Sequence, residues 1–105
     1  MSIQRIVCFK FKEGTSESAI EQHMADFAGM KAFIPQIKEY RGGLTKPGDN
    51  NRPPDYDTMH YMIFDSLEDI ELYRPHEAHL RFIERNKASW EHVLVLNSEI
   101  NGKDQ

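Results

Sequence analysis

The run Ile3-Gln4-Arg5-Ile6-Val7-Cys8-Phe9-Lys10-Phe11-Lys12 decides the fold. β-Branched and aromatic residues dominate it, and neither Gly nor Pro interrupts it, which predicts a strand. Successive side chains of a strand point to opposite faces, so Arg5, Val7, Phe9 and Phe11 share one face while Ile6 and Cys8 share the other. A sheet with one wet face alternates apolar with polar residues; this strand is apolar on both. Thr58 to Phe64 repeats the pattern, with Met59, Tyr61 and Ile63 opposing Met62 and Phe64. A last strand, His92 to Ile100, sets Val93 and Val95 against Leu94 and Leu96. Both faces of the resulting sheet therefore need cover.

Outward from these strands, Glu13-Gly14-Thr15-Ser16 is a break, and Ser16 or Thr15 can cap a helix starting at Glu17. The helix places Ile20, Met24, Phe27 and Met30 or Lys31 on one face, and Ile34-Pro35 ends it, because the residue before Pro avoids the helical region. Ile37 to Leu44 is a second, weaker strand in which Gly42-Gly43 suggests a bulge. Lys46 to Asp55, with Pro47, Gly48, Pro53 and Pro54, is a loop. Ser66 caps a short helix over Leu67 to Tyr73, with Asp69 at the capping-box position. Pro75 interrupts, and a further helix runs from about His76 to Ser89. The order β-α-β-β-α-β is the ferredoxin-like α+β arrangement: a four-stranded antiparallel sheet with both helical segments on one face. Helices on one face leave the other bare. A second copy of the sheet is the economical cover, which predicts a two-fold homodimer closed into an α/β barrel.

The chain has 105 residues and fits one domain over 1–105. With 39% hydrophobic and 29% charged residues it is globular rather than disordered. A net charge of -4 with scattered Lys and Arg gives no basic stripe, so nucleic acid is not an expected partner. The apolar runs are too short for a bilayer span, so neither is a membrane. Met1-Ser2-Ile3-Gln4-Arg5 carries no signal-like apolar run, and the single cysteine, Cys8, suits a reducing compartment. A cytoplasmic location is expected.

Chemistry concentrates in Tyr73-Arg74-Pro75-His76-Glu77-Ala78-His79-Leu80-Arg81-Phe82, which gathers a phenol and two imidazoles within seven residues. Together with Arg5-Ile6-Val7-Cys8-Phe9-Lys10-Phe11-Lys12-Glu13-Gly14-Thr15 and Phe33-Ile34-Pro35, this segment resembles the stress-responsive dimeric α/β-barrel domain family from about Ile3 to Glu99. The resemblance implies the dimeric ferredoxin-like barrel. One member of that family is a plant polyketide cyclase that uses a His base beside a Tyr. By position, that likeness makes His79 the base and Tyr73 its neighbour. His76 resembles the first histidine of the family's His-Pro-x-His segment, although here Pro75 precedes it. Arg5 stands where the cyclase has a strand-one histidine. Arg does not give up its proton in proteins, so Arg5 is instead a candidate to hold a carboxylate or enolate through two hydrogen bonds.

Each candidate also has a plain structural role open to it. His79 lies on a helical stripe with Phe82, Ile83, Asn86 and Trp90, and is either a general base or an interior imidazole bonded to a carbonyl. Tyr73 either protonates a substrate oxygen or is a buried ring with a wet hydroxyl. His76 shapes the pocket mouth or simply begins a helix, and Arg5 clamps an anion or snorkels to water. His76-x-x-His79 with the scattered His23, His60 and His92 lacks the spacing of a metal centre, and no Gly-rich phosphate loop exists. No metal or cofactor is expected. The reading is a homodimeric stress-responsive-type protein with a ligand pocket between sheet and helices and a small hydrophobic or carbonyl ligand. A cofactor-independent cyclase-like lyase or isomerase and a monooxygenase-like protein are the alternatives.

Overall fold

The period-two alternation of Ile3 to Phe11 produces the first strand of the sheet. The computed structural model describes residues 2–100. Its elements are β1 (Ile3–Phe11), α1 (Glu17–Gly29), β2 (Glu39–Leu44), β3 (Thr58–Phe64), α2 (Leu67–Tyr73), α3 (Glu77–Asn86) and β4 (Trp90–Glu99). The sheet is antiparallel throughout with order β2-β3-β1-β4, the ferredoxin-like topology. The helix ends follow from local chemistry. The Ser16 hydroxyl accepts from the Ala19 amide and the Ser66 hydroxyl from the Asp69 amide, so both act as N-caps. Thr15 turns back instead and donates to the Lys12 carbonyl. Gly14 takes φ +88 in the turn after β1, a conformation that costs a glycine little.

Val7, Phe9, Phe27, Ile34, Met62, Phe64, Ile70 and Phe82 form the core between sheet and helices. Burying each such side chain stabilises the fold by about 1.5–3 kcal/mol before entropy is counted. Register fixes which strand residues join it: Ile3, Arg5 and Val7 lie opposite Phe64, Met62 and His60 on β3. The other face keeps Ile6, Met59, Tyr61 and Leu96 without cover within the protomer. On the helix side the cover stops short of β4, so Val93 and Val95 remain 45% and 42% exposed although they pair with Phe9 and Val7.

Four local expectations are corrected. The buried face of α1 runs through His23 and Phe27, continuing to Met30, while Ile20 and Met24 are only half-buried at its border. The β2–β3 pairing passes Gly42-Gly43 with no shift of register; the irregularity falls between Lys10 and Phe11, where β1 meets β4. On the opposite side of β1, past the end of its pairing with β3, the Phe11 amide donates to the Asp57 carboxylate at 2.8 Å. The last helix ends at Asn86, whose amide donates to Asp26 and to the Phe82 carbonyl, and a 3-10 turn follows over Lys87–Ser89. Trp90 consequently opens β4 rather than closing a helix.

Candidate functional site

Two groups of titratable side chains occupy the helix side of the sheet. The first joins β1 to the α2–α3 corner. Arg5 is 7% exposed, and its Nη1 donates to Asn97 Oδ1 on β4 at 3.0 Å. Its guanidinium carbon lies 5.6 Å from the centre of the Tyr73 ring, within cation–π range. Tyr73 is the last residue of α2, is 1% exposed and packs on Phe64. The His79 ring lies 4.3 Å from the Tyr73 ring, centre to centre. Arg5, Tyr73 and His79, taken from three separate elements, therefore sit together.

The corner itself orients His79. Pro75 has no N–H to continue the ladder of α2, and the amide of Ala78 is taken by His76 Nδ1 at 3.0 Å. The Arg74 carbonyl at the end of α2 needs another donor, and His79 Nδ1 lies 2.8 Å from it. A carbonyl only accepts, so Nδ1 carries the proton. A neutral imidazole has one proton, which leaves the lone pair of His79 on Nε2. Burial holds the His79 pKa below its usual value, against a raising contribution from the Arg74 carbonyl. The half-buried imidazole is thus neutral at pH 7, with a basic nitrogen to spare. Burial pushes Tyr73 up to about 12, so it stays a phenol. Burial likewise lowers the Arg5 pKa. His76 is the N-cap of α3: its Nδ1 does the work that an Asn or Asp oxygen does elsewhere.

The second group was not foreseen as a unit. His23 on α1 and His60 on β3 are 1% and 0% exposed, and their Nε2 atoms lie 3.0 Å apart. The Trp90 indole nitrogen donates to His23 Nδ1 at 3.2 Å, and His60 Nδ1 lies 2.8 Å from the Tyr40 hydroxyl. Because indole N–H only donates, the order is fixed from that end. His23 carries its proton on Nε2 and gives it to His60 Nε2; His60 carries its own on Nδ1 and gives it to the Tyr40 oxygen. Burial holds His23 at about 4 and His60 at about 3, so both are neutral. Phe27 stacks on His60 at 3.8 Å, nearly parallel. Gly42 leaves the space the phenol occupies, since a Cβ there would collide with the Tyr40 hydroxyl. The sequence signal was register: His60 alternates with Thr58, Met62 and Phe64, and His23 lies four residues before Phe27.

Hollows of about 280 Å³ between α1 and α3, about 450 Å³ beside Tyr40, and about 930 Å³ over Ile6, Met59 and Tyr61 on the uncovered sheet face are lined by neither Tyr73 nor His79. On the face that bears Arg5, the paired β4 residues Val93, Val95 and Asn97 are exposed.

Comparison with known proteins bears on this geometry. The family described as stress responsive A/B barrel domain matches residues 3–100. Olivetolic acid cyclase of Cannabis sativa is 25% identical over 97 residues, covering 92% of this chain and 95% of the cyclase. The hydroxynitrile lyase of Passiflora edulis superposes with a TM-score of 0.85 at 23% identity, over 97% of this chain and 95% of the lyase. A dimeric ferredoxin-like protein of unknown function from Thermobifida fusca gives 0.80 at 18% identity, over 95% and 92%. The last two likenesses are of fold.

Proposed function

We propose, for a chain that belongs to the stress responsive A/B barrel domain family, that it binds a small carbonyl compound without a cofactor and removes a proton from the carbon beside the carbonyl. The observation that carries this reading is the free Nε2 of His79, left as a lone pair because Nδ1 is bonded to the Arg74 carbonyl. A base must be unprotonated and within reach of its proton, and burial keeps this imidazole neutral. Tyr73, a phenol at neutral pH, donates to the oxygen on which the enolate charge develops. Its ring is closed off from solvent, and the route proposed for the substrate oxygen is past Asn97 of β4, which already touches Arg5. His76 shapes the entrance as it caps α3. The name of one relative, a cyclase, accords with chemistry of this class. The test is deuterium exchange into a small ketone in heavy water, followed by NMR. Exchange above the buffer rate that disappears in His79→Gln supports the reading, and exchange at the buffer rate with every carbonyl tried sinks it.

The working unit of this proposal is a homodimer joined through the sheet face that bears Ile6, Met59, Tyr61 and Leu96. Apolar side chains left uncovered over that extent mark an interface, and the Thermobifida fusca protein of the same fold is dimeric. Ile6→Glu should convert the dimer to monomer in light scattering at micromolar concentration; a monomeric mass for the unmodified chain refutes the dimer. Among the described residues no helix is long and apolar enough to cross a membrane. The single, buried cysteine, Cys8, accords with work in the cytoplasm.

A further inference from the structure

We infer that Arg5 and Asn97 form a carboxylate site and that the substrate is therefore a short oxo acid rather than a neutral ketone. The oxo half of this assignment rests on the reading of His79; the carboxylate half does not. Arg5 is 93% buried by its 7% exposure, yet among the described residues it forms no ion pair. Its one well-formed hydrogen bond there is the 3.0 Å contact to the Asn97 side-chain oxygen, and the Tyr73 phenol is close enough to act on its charge as well. The Nε–H is buried and has no acceptor. Burying a guanidinium costs several kcal/mol unless a counter-charge and acceptors repay it, and an orphaned buried donor adds to that cost. Tyr73 offers its ring face to the charge and acts on the guanidinium, yet the Nε–H is left without an acceptor. Glu71, the acid on the nearby helix, is paired with Arg74 at 3.8 Å. A residue held charged, dry and partly unpaired lacks its anion.

A carboxylate fits best, because its two oxygens match the guanidinium fork. Arg5 projects to the helix side, away from the face proposed for the dimer, so a second protomer docked there does not supply the anion. The guanidinium lies 5.6 Å, and the His79 ring 4.3 Å, from the Tyr73 ring centre. The clamp and the base are therefore within about 10 Å of one another, which suits a carboxylate and an acidic C–H a few bonds apart. Val95, one pair along β4 from Asn97, is an exposed apolar neighbour on the same face.

The experiment compares levulinate, its methyl ester and 2-pentanone by calorimetry, with the Arg5 Nε–H resonance followed by ¹⁵N NMR. Levulinate should bind at least tenfold tighter than the ester and shift that resonance. Arg5→Met should abolish the preference while raising the melting temperature, because an unpaired buried charge gives way to an apolar chain of similar length. A purely structural arginine would instead lower it. Equal binding of acid and ester, no binding of the acid, or an unchanged preference in Arg5→Met overturns the assignment. The two readings fail separately. Arg5-dependent binding without deuterium exchange removes the base and keeps the carboxylate site. Exchange into 2-pentanone as fast as into levulinate removes the carboxylate site and keeps the base.

Discussion

The histidines of the core and the histidine of the α2–α3 corner are built on opposite principles. His23 and His60 spend all four ring nitrogens on one another, on Trp90 and on Tyr40. His79 spends one nitrogen on the Arg74 carbonyl and keeps the other. Both arrangements hold imidazoles neutral by burial, with His60 the most shielded at 0% exposure. Neutrality is therefore no mark of reactivity here. What separates a structural imidazole from a reactive one is whether a lone pair remains unclaimed.

Substituting each kind of histidine in turn separates the two fates. His79→Gln should lower deuterium exchange into levulinate by about 100-fold or more, the usual contribution of a general base, and leave the melting temperature nearly unchanged. His60→Ala should do the reverse: about 3 kcal/mol of stability lost in urea unfolding, from the cavity and the stranded His23 N–H, with exchange preserved where the protein stays folded. If His60→Ala is as stable as the parent, the core chain is decoration. Acid then sharpens the contrast. The folded pKa values of about 4 and 3 lie below the free value of 6.5. Unfolded chain thus binds more protons between those limits, and stability falls as pH drops below about 6.5. Each imidazole contributes up to about 1.4 kcal/mol per pH unit. The pH dependence of urea unfolding should accordingly be shallower in His60→Leu. Gly42→Ala should cost about 1–2 kcal/mol by lifting the Tyr40 hydroxyl off His60. The smallest effect belongs to His76→Ala, about 1 kcal/mol for a lost cap, with His76→Asn restoring most of it.

Where one local rule operated, the sequence was legible. Ser16 and Ser66 cap as their spacing says, Thr58–Phe64 is the strand its alternation predicts, and the two-faced apolar pattern points to the ferredoxin-like sheet with an uncovered face. Where two rules competed, it was not. Gly42 looked like the site of an extra residue but serves a close approach, which depends on Tyr40 and His60 meeting across two strands. Trp90 continued the helical period, yet the helix tightens into a 3-10 turn over Lys87–Ser89 and Trp90 enters β4. The candidate site was half legible. Tyr73, His76 and His79 are neighbours in sequence, and Arg5 shares a face with the core strand. The tautomer of His79 depends on an Arg74 carbonyl that the His76 cap leaves free by taking the Ala78 amide, and no residue pattern states that.

Trp90 is the only tryptophan of the chain, and its indole N–H ends on His23. An imidazolium in contact with indole quenches its emission, whereas a neutral imidazole does so far less. The intrinsic fluorescence of this protein is thus a built-in optical gauge of the core histidines. A spectrometer and an acid titration can follow the charge state of that chain without a label while the fold remains intact.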